Sequence, residues 1–130
     1  MITGIGIDIV EIGRIGDAVR RWGERFLRRI FTEGEITYCY SKKDPFPHLA
    51  ARFAAKEAGV KALSSLLPEG EHLSLCDMEV VRDTSGRPSF SLSSGPLKDI
   101  LSKEAFSIHL SLSHERGNAV AVVVLERKKG

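Results

Sequence analysis

Two cysteines in 130 residues, Cys39 and Cys76, stand far apart and outside any C-x-x-C pattern. That scarcity excludes a disulfide framework and a cysteine zinc site, and points to a reduced, cytosolic setting. No apolar run approaches the ~20 residues needed to cross a bilayer. Nor does the chain open with a basic region, an apolar stretch and a small-residue cleavage site, so a soluble, untargeted protein is expected. Repeats, linkers and low-complexity tracts are missing too, beyond the polar Arg127-Lys128-Lys129-Gly130 tail. An excess of one charge is also lacking: 19 Lys and Arg against 17 Asp and Glu leave +2, too little for general attraction to nucleic acid or membrane. With 42% apolar residues, one compact domain is expected, near the size at which self-association adds useful burial.

What the chain does contain is a pair of acids in apolar settings. Asp8 sits inside the strand-like run Ile5-Gly6-Ile7-Asp8-Ile9-Val10, and Glu57 inside the alanine-rich stretch from Leu49 to Ala58. A carboxylate in a core is costly unless a cation compensates it, so a metal site is the first reading. Two carboxylates suit magnesium, which fills its remaining positions with water and phosphate oxygens. The alternative is that each is a satisfied core acid, paired with Lys56 or an arginine. Lys61, four residues after Glu57, shares its helix face and stands ready either to neutralise a phosphate or to form an ordinary ion pair with Glu57.

Periodicity places these residues. Residues 2 to 10 alternate, with Ile5, Ile7 and Ile9 on one face of a strand and Gly4, Gly6 and Asp8 on the other. The glycines let another element approach closely, so Asp8 points into a tight seam. From Glu11 to Phe31 the apolar residues recur at three and four, with Gly23 bending or dividing the helix, while Arg14, Arg21, Arg25 and Arg28 form a stripe on another face. Thr32 and Glu35 hold capping-box positions for a short helix to about Ser41, and Asp44-Pro45-Phe46-Pro47 interrupts the chain. His48 to Leu67 predicts a long helix whose apolar stripe contains Glu57. Residues 73–82 and 87–92 predict a hairpin around Asp83-Thr84-Ser85-Gly86. A helix from about Gly95 to Ala105, opened by Ser94 and Pro96, and two strands, Ser107 to Ser113 and Asn118 to Glu126, complete an α+β domain.

Other constellations are weaker. Gly4-x-Gly6 lacks the third glycine and the following alanine-rich helix of a dinucleotide fingerprint. Ser113-His114, at a strand end, offers a hydroxyl and an imidazole to an anionic ligand or is an ordinary turn; without a G-x-S-x-G elbow it does not make a serine hydrolase. Gly86-Arg87-Pro88 reads as a hairpin turn. The arginine stripe is either a solvated helix face or, because one sign dominates, a dock for an acidic protein; a nucleic-acid partner is disfavoured, since the rest of the surface is not basic.

Taken together, these segments resemble the holo-[acyl-carrier-protein] synthase family of 4′-phosphopantetheinyl transferases over nearly the full length. The resemblance rests on Gly4-Ile5-Gly6-Ile7-Asp8-Ile9-Val10-Glu11-Ile12 with Arg14, on Phe31-Thr32-Glu33-Gly34-Glu35, on Arg52-Phe53-Ala54-Ala55-Lys56-Glu57-Ala58 with Lys61-Ala62, on Gly86-Arg87-Pro88, and on Ser111-Leu112-Ser113-His114. It implies a mostly antiparallel sheet packed around a long central helix. It implies transfer of the phosphopantetheine arm of coenzyme A to a serine of an acyl carrier protein, with Asp8 and Glu57 holding magnesium and Lys61 stabilising the leaving phosphate. Glu35 or a metal-bound water takes the serine proton on this reading. Arg52, Gly86, Arg87, Pro88, Ser113 and His114 would line the nucleotide and its 3′-phosphate, and Arg14, Arg21, Arg25 and Arg28 would dock the acidic carrier. A cytoplasmic homotrimer with sites between subunits is also implied, which the Gly4/Gly6 seam suits. Two departures bear on coenzyme A affinity: Lys61-Ala62-Leu63-Ser64-Ser65 replaces a Gly-Thr-Gly loop, and Asn118-Ala119-Val120-Ala121 lacks a tyrosine. A magnesium-dependent hydrolase of a nucleotide diphosphate would use the same acids, and a non-catalytic module binding an acidic protein would use the same arginines.

Overall fold

The computed structural model describes residues 1–92, 96–103 and 106–128, with backbone alone for Pro96, Ser102 and Lys103. Strand β1 (Ile2–Glu11) leads into helices α1 (Ile12–Trp22), α2 (Glu24–Ile30), α3 (Glu33–Tyr40) and α4 (Pro45–Leu63). Strands β2 (Met78–Arg82) and β3 (Pro88–Leu92), helix α5 (Pro96–Lys103), and strands β4 (Phe106–Glu115) and β5 (Asn118–Arg127) follow. β1, β5 and β4 form an antiparallel sheet in that order, and β2 and β3 form a separate antiparallel hairpin. The α+β architecture expected from the sequence is what the chain adopts.

Helix α4 lies against this sheet because both surfaces are nearly bare. Ala50, Ala51, Ala54, Ala55, Ala58 and Ala62 are all buried, and a Cβ added at Gly6 or Gly4 would overlap the carbonyls of Ala58 or Ala62. The Gly4/Gly6 seam therefore joins two elements of one chain, not two subunits. The opposite face of β1 is uncovered: Ile5, Ile7 and Ile9 are 65%, 58% and 67% exposed. In register with them stand Val124, Val122 and Val120 of β5.

Local signals set the helix boundaries. Gly23, at φ 58°, divides the arginine-rich segment into α1 and α2. Thr32 and Glu35 make the expected capping box, with Thr32 Oγ1 accepting from Glu35 N at 3.2 Å and Glu35 Oε1 accepting from Thr32 N at 2.9 Å. α4 begins at Pro45, three residues before the expected start, since a first turn needs no N–H from Pro45 or Pro47 and Asp44 caps Phe46 N at 3.1 Å. It ends at Leu63, where Ser64–Leu66 tightens into a 3-10 turn. The hairpin strand expected from residue 73 starts at Met78, after a 3-10 turn over Leu75–Asp77. Ser94, Gly95 and Ala105, expected at the ends of α5, lie outside the described residues.

Candidate active site

The β1–α4 seam brings Asp8 and Glu57 into one cavity of about 380 Å³, lined also by Arg14, Phe26 and Phe53. β1 carries Asp8 on its glycine face; α4 carries Glu57 one residue beyond the fully buried Lys56. Lys61 reaches across the seam and donates to the Ile7 carbonyl at 2.9 Å and to Asp8 Oδ1 at 3.3 Å. The ordinary Glu57–Lys61 pair is thus not formed, and among the described residues Glu57 has neither a hydrogen-bond nor an ion-pair partner. Lys56, the other cation weighed as a partner for these acids, is committed elsewhere. No third His, Cys, Asp or Glu joins the two carboxylates among the described residues.

Glu35 does not belong to this site. It is 1% exposed, forms a 2.6 Å ion pair with Lys56, and accepts from Val80 N at 2.8 Å as well as from Thr32 N. A carboxylate so enclosed cannot reach a substrate hydroxyl, which corrects the expectation that it takes a serine proton.

A second cluster gathers at the other end of α4. The Arg52 guanidinium lies 4.2 Å from the centre of the Tyr38 ring, with Lys42 Nζ at 4.8 Å and Arg82 at 5.2 Å. Arg82 Nε donates to Tyr38 Oη and its Nη1 to the Gly86 carbonyl, both at 2.8 Å, so the hairpin turn is tied to α3. Burial alone would raise the pKa of the Tyr38 phenol, but the Arg82 hydrogen bond and the charges of Arg82, Arg52 and Lys42 draw it below its ordinary value. His48 packs edge-on against both Tyr38 and His114, with centroids 6.1 and 5.6 Å apart. Burial first, then the charges of His114, Arg52, Lys42 and Arg82, lower the His48 pKa.

The remaining expected residues are distributed. Arg87 and Pro88 line a cavity of about 450 Å³ between the hairpin and β4, and Ser113 and His114 line one of about 210 Å³ at the β4–β5 end. Arg52 and Glu57 are five residues apart on α4, hence about 140° around the helix and ~7.5 Å along it. One chain therefore does not assemble Arg52 and the two acids in a single cavity. Of the arginine stripe, Arg21 and Arg25 are exposed without an ion pair among the described residues, and Arg14 belongs to the acidic cavity. Arg28 is held by Glu24 and Glu33, each at 2.7 Å, which removes it as a free docking charge. Tyr38, His48 and Arg82 were missed by sequence reasoning, because they come from three elements and share no spacing that marks them.

The sequence and the fold have known counterparts. The profile of the 4′-phosphopantetheinyl transferase superfamily matches residues 4–124. The chain is 48% identical over 128 residues to a holo-[acyl-carrier-protein] synthase of Halothermothrix orenii, covering 97% of this chain and 98% of that one. It superposes on the holo-[acyl-carrier-protein] synthase of Neisseria meningitidis with a TM-score of 0.81 at 35% identity, over 98% of this chain and 100% of that one. With the Bacillus anthracis synthase, solved in complex with coenzyme A (3′,5′-ADP), the TM-score is 0.76 at 37% identity, over 98% and 99%. By sequence over nearly its whole length and by fold, this chain belongs to the 4′-phosphopantetheinyl transferase superfamily.

Proposed function

We propose that this protein transfers the 4′-phosphopantetheine group of coenzyme A to a serine of apo acyl carrier protein, releasing adenosine 3′,5′-bisphosphate. The observation that carries the reading is the convergence of Asp8, Glu57 and Lys61 at one seam, in a chain so similar to holo-[acyl-carrier-protein] synthases. Asp8 and Glu57 would hold magnesium: among the described residues Glu57 has no partner and no third acid joins the pair, which leaves room for water and phosphate oxygens. When bound, the ion supplies positive charge beside the pyrophosphate as the transfer proceeds. Lys61, already held by Asp8 and the Ile7 carbonyl, neutralises the leaving phosphate without having to be ordered first. The Arg52 cluster, with Arg87 and His114, receives the nucleotide and its 3′-phosphate.

The exposed Arg21 and Arg25, with Arg14 at the rim of the acidic cavity, dock the acidic carrier protein beside the chemistry. The bare face of Ile5, Ile7 and Ile9 is covered by other copies in a homotrimer. Such an assembly also answers the opposed directions of Arg52 and Glu57 on α4, because one copy's arginine can meet another's acids across a subunit boundary. On this reading the enzyme works in the cytoplasm and serves fatty-acid and lipid biosynthesis. No helix among the described residues is long and apolar enough to cross a membrane.

Intact-mass spectrometry of apo acyl carrier protein, incubated with the enzyme, coenzyme A and magnesium, tests the proposal. The carrier should gain one phosphopantetheine arm, and a chelator should prevent it. Asp8→Asn and Glu57→Gln should each abolish the gain while leaving carrier binding intact. Cleavage of coenzyme A with an unchanged carrier would instead establish a hydrolase, and carrier binding without either reaction a binding module.

A further inference from the structure

Arg52 is only 3% exposed, yet no carboxylate pairs with it among the described residues. Among the described residues its Nε has no hydrogen-bond partner, and its Nη1 makes one long contact, 3.4 Å, to the His48 carbonyl in the preceding turn of its own helix. A buried guanidinium left this way is costly unless an anion arrives from outside. Two more cations share its surroundings. Lys42 and Arg82 also lie over the Tyr38 ring, and neither forms an ion pair among the described residues. The acid lining the same small cavity, Glu79, is engaged by the Thr32 hydroxyl at 2.6 Å.

What organises these charges is one aromatic side chain. The face of Tyr38 attracts Arg52 through its ring quadrupole, while its oxygen accepts from Arg82, whose other nitrogen is fixed on the Gly86 carbonyl. The ring is thus held at its edge and holds a guanidinium at its face. Three cations at one ring suit a dianion, and a terminal phosphate monoester carries close to two charges at neutral pH.

We propose that Tyr38 is a positioning residue for the 3′-phosphate of coenzyme A, its ring fixing the Arg52 guanidinium and its hydroxyl fixing Arg82 at one phosphate monoester. This rests on the reading that Arg52 meets that phosphate. Tyr38 lines a different cavity from the one that holds Asp8 and Glu57, so its removal acts on recognition of the donor and not on the chemical step.

Transfer kinetics with coenzyme A and with 3′-dephospho-coenzyme A as alternative donors test it. Tyr38→Leu should raise the KM for coenzyme A roughly tenfold, leaving kcat and the KM for the dephospho donor unchanged. Tyr38→Phe keeps the ring and loses only the Arg82 hydrogen bond, so its rise should be smaller, about threefold. That variant decides the matter if Tyr38→Leu fails to fold. Equal effects on both donors, or none on either, overturn the role of Tyr38. A wild-type enzyme with the same KM for both donors would instead remove the 3′-phosphate contact itself, and with it the reading on which the proposal rests.

Discussion

Lys56 and Glu35 show how much depends on a single buried pair. Both are essentially without solvent exposure and meet at 2.6 Å. Every remaining direction is occupied: Lys56 Nζ donates to the carbonyls of Ile30 and Leu75 at 2.9 Å each, and Glu35 accepts from Thr32 N and Val80 N. One ion pair thereby joins α2, α3, α4, β2 and the turn before β2. Removing one member leaves the other charged and enclosed, so Lys56→Met should cost about 3–5 kcal/mol, read from urea denaturation. Lys56→Met combined with Glu35→Gln should recover part of that loss, because a neutral amide keeps a polar group at Thr32 and Val80 without an orphaned charge. The same residues mark the limit of reading the sequence. Asp8 and Glu57 were legible as acids out of place, since a strand alternation and an apolar helical stripe both single them out. Glu35 was equally visible as a capping residue, but its burial was not: it depends on β2 and α4 closing over the cap, contacts 21 and 45 residues away.

At the scale of elements, the seam between β1 and α4 decides whether Asp8 and Glu57 share a cavity. Glycine is required at position 6 because a Cβ there would overlap the Ala58 carbonyl, and helix backbone cannot move aside as a flexible side chain would. Gly6→Ala should therefore push β1 off α4, costing about 1–3 kcal/mol and most of the transfer activity. Gly13, in α1, has nothing within 4 Å of an added Cβ. Gly13→Ala should raise stability by up to ~1 kcal/mol, and opposite signs for the two substitutions in one denaturation series would isolate the seam. The alternation of residues 2 to 10 foretold this close approach. It did not tell which face would be covered within the chain, since periodicity separates faces without saying what lies against them.

The whole molecule leaves its most regular apolar surface in solvent. The exposed Ile5, Ile7 and Ile9 stand beside the half-buried Val120, Val122 and Val124 across the β1–β5 ladder, a patch left uncovered in a lone chain of 14.3 kDa. Sedimentation should find the protein at three times its chain mass. Ile7→Glu, at the centre of the patch, should yield a monomer with unchanged circular dichroism and little transfer activity; a variant that sediments like the wild type would disprove the assembly surface. Periodicity alone gave no hint of a trimer, because the exposed isoleucines follow the same pattern that a buried strand face would show.

The strand order adds a consequence in time. β1, which carries Asp8, pairs with β5, from Ile2 opposite Glu126 to Glu11 opposite Asn118. During synthesis, the acid at position 8 leaves the ribosome more than a hundred residues ahead of the strand that fixes it. Contacts so distant in sequence form slowly. A nascent chain without β5 thus has Asp8 and Glu57 but lacks the strand that holds β1 in register, so the position of Asp8 is set only once β5 has emerged and paired.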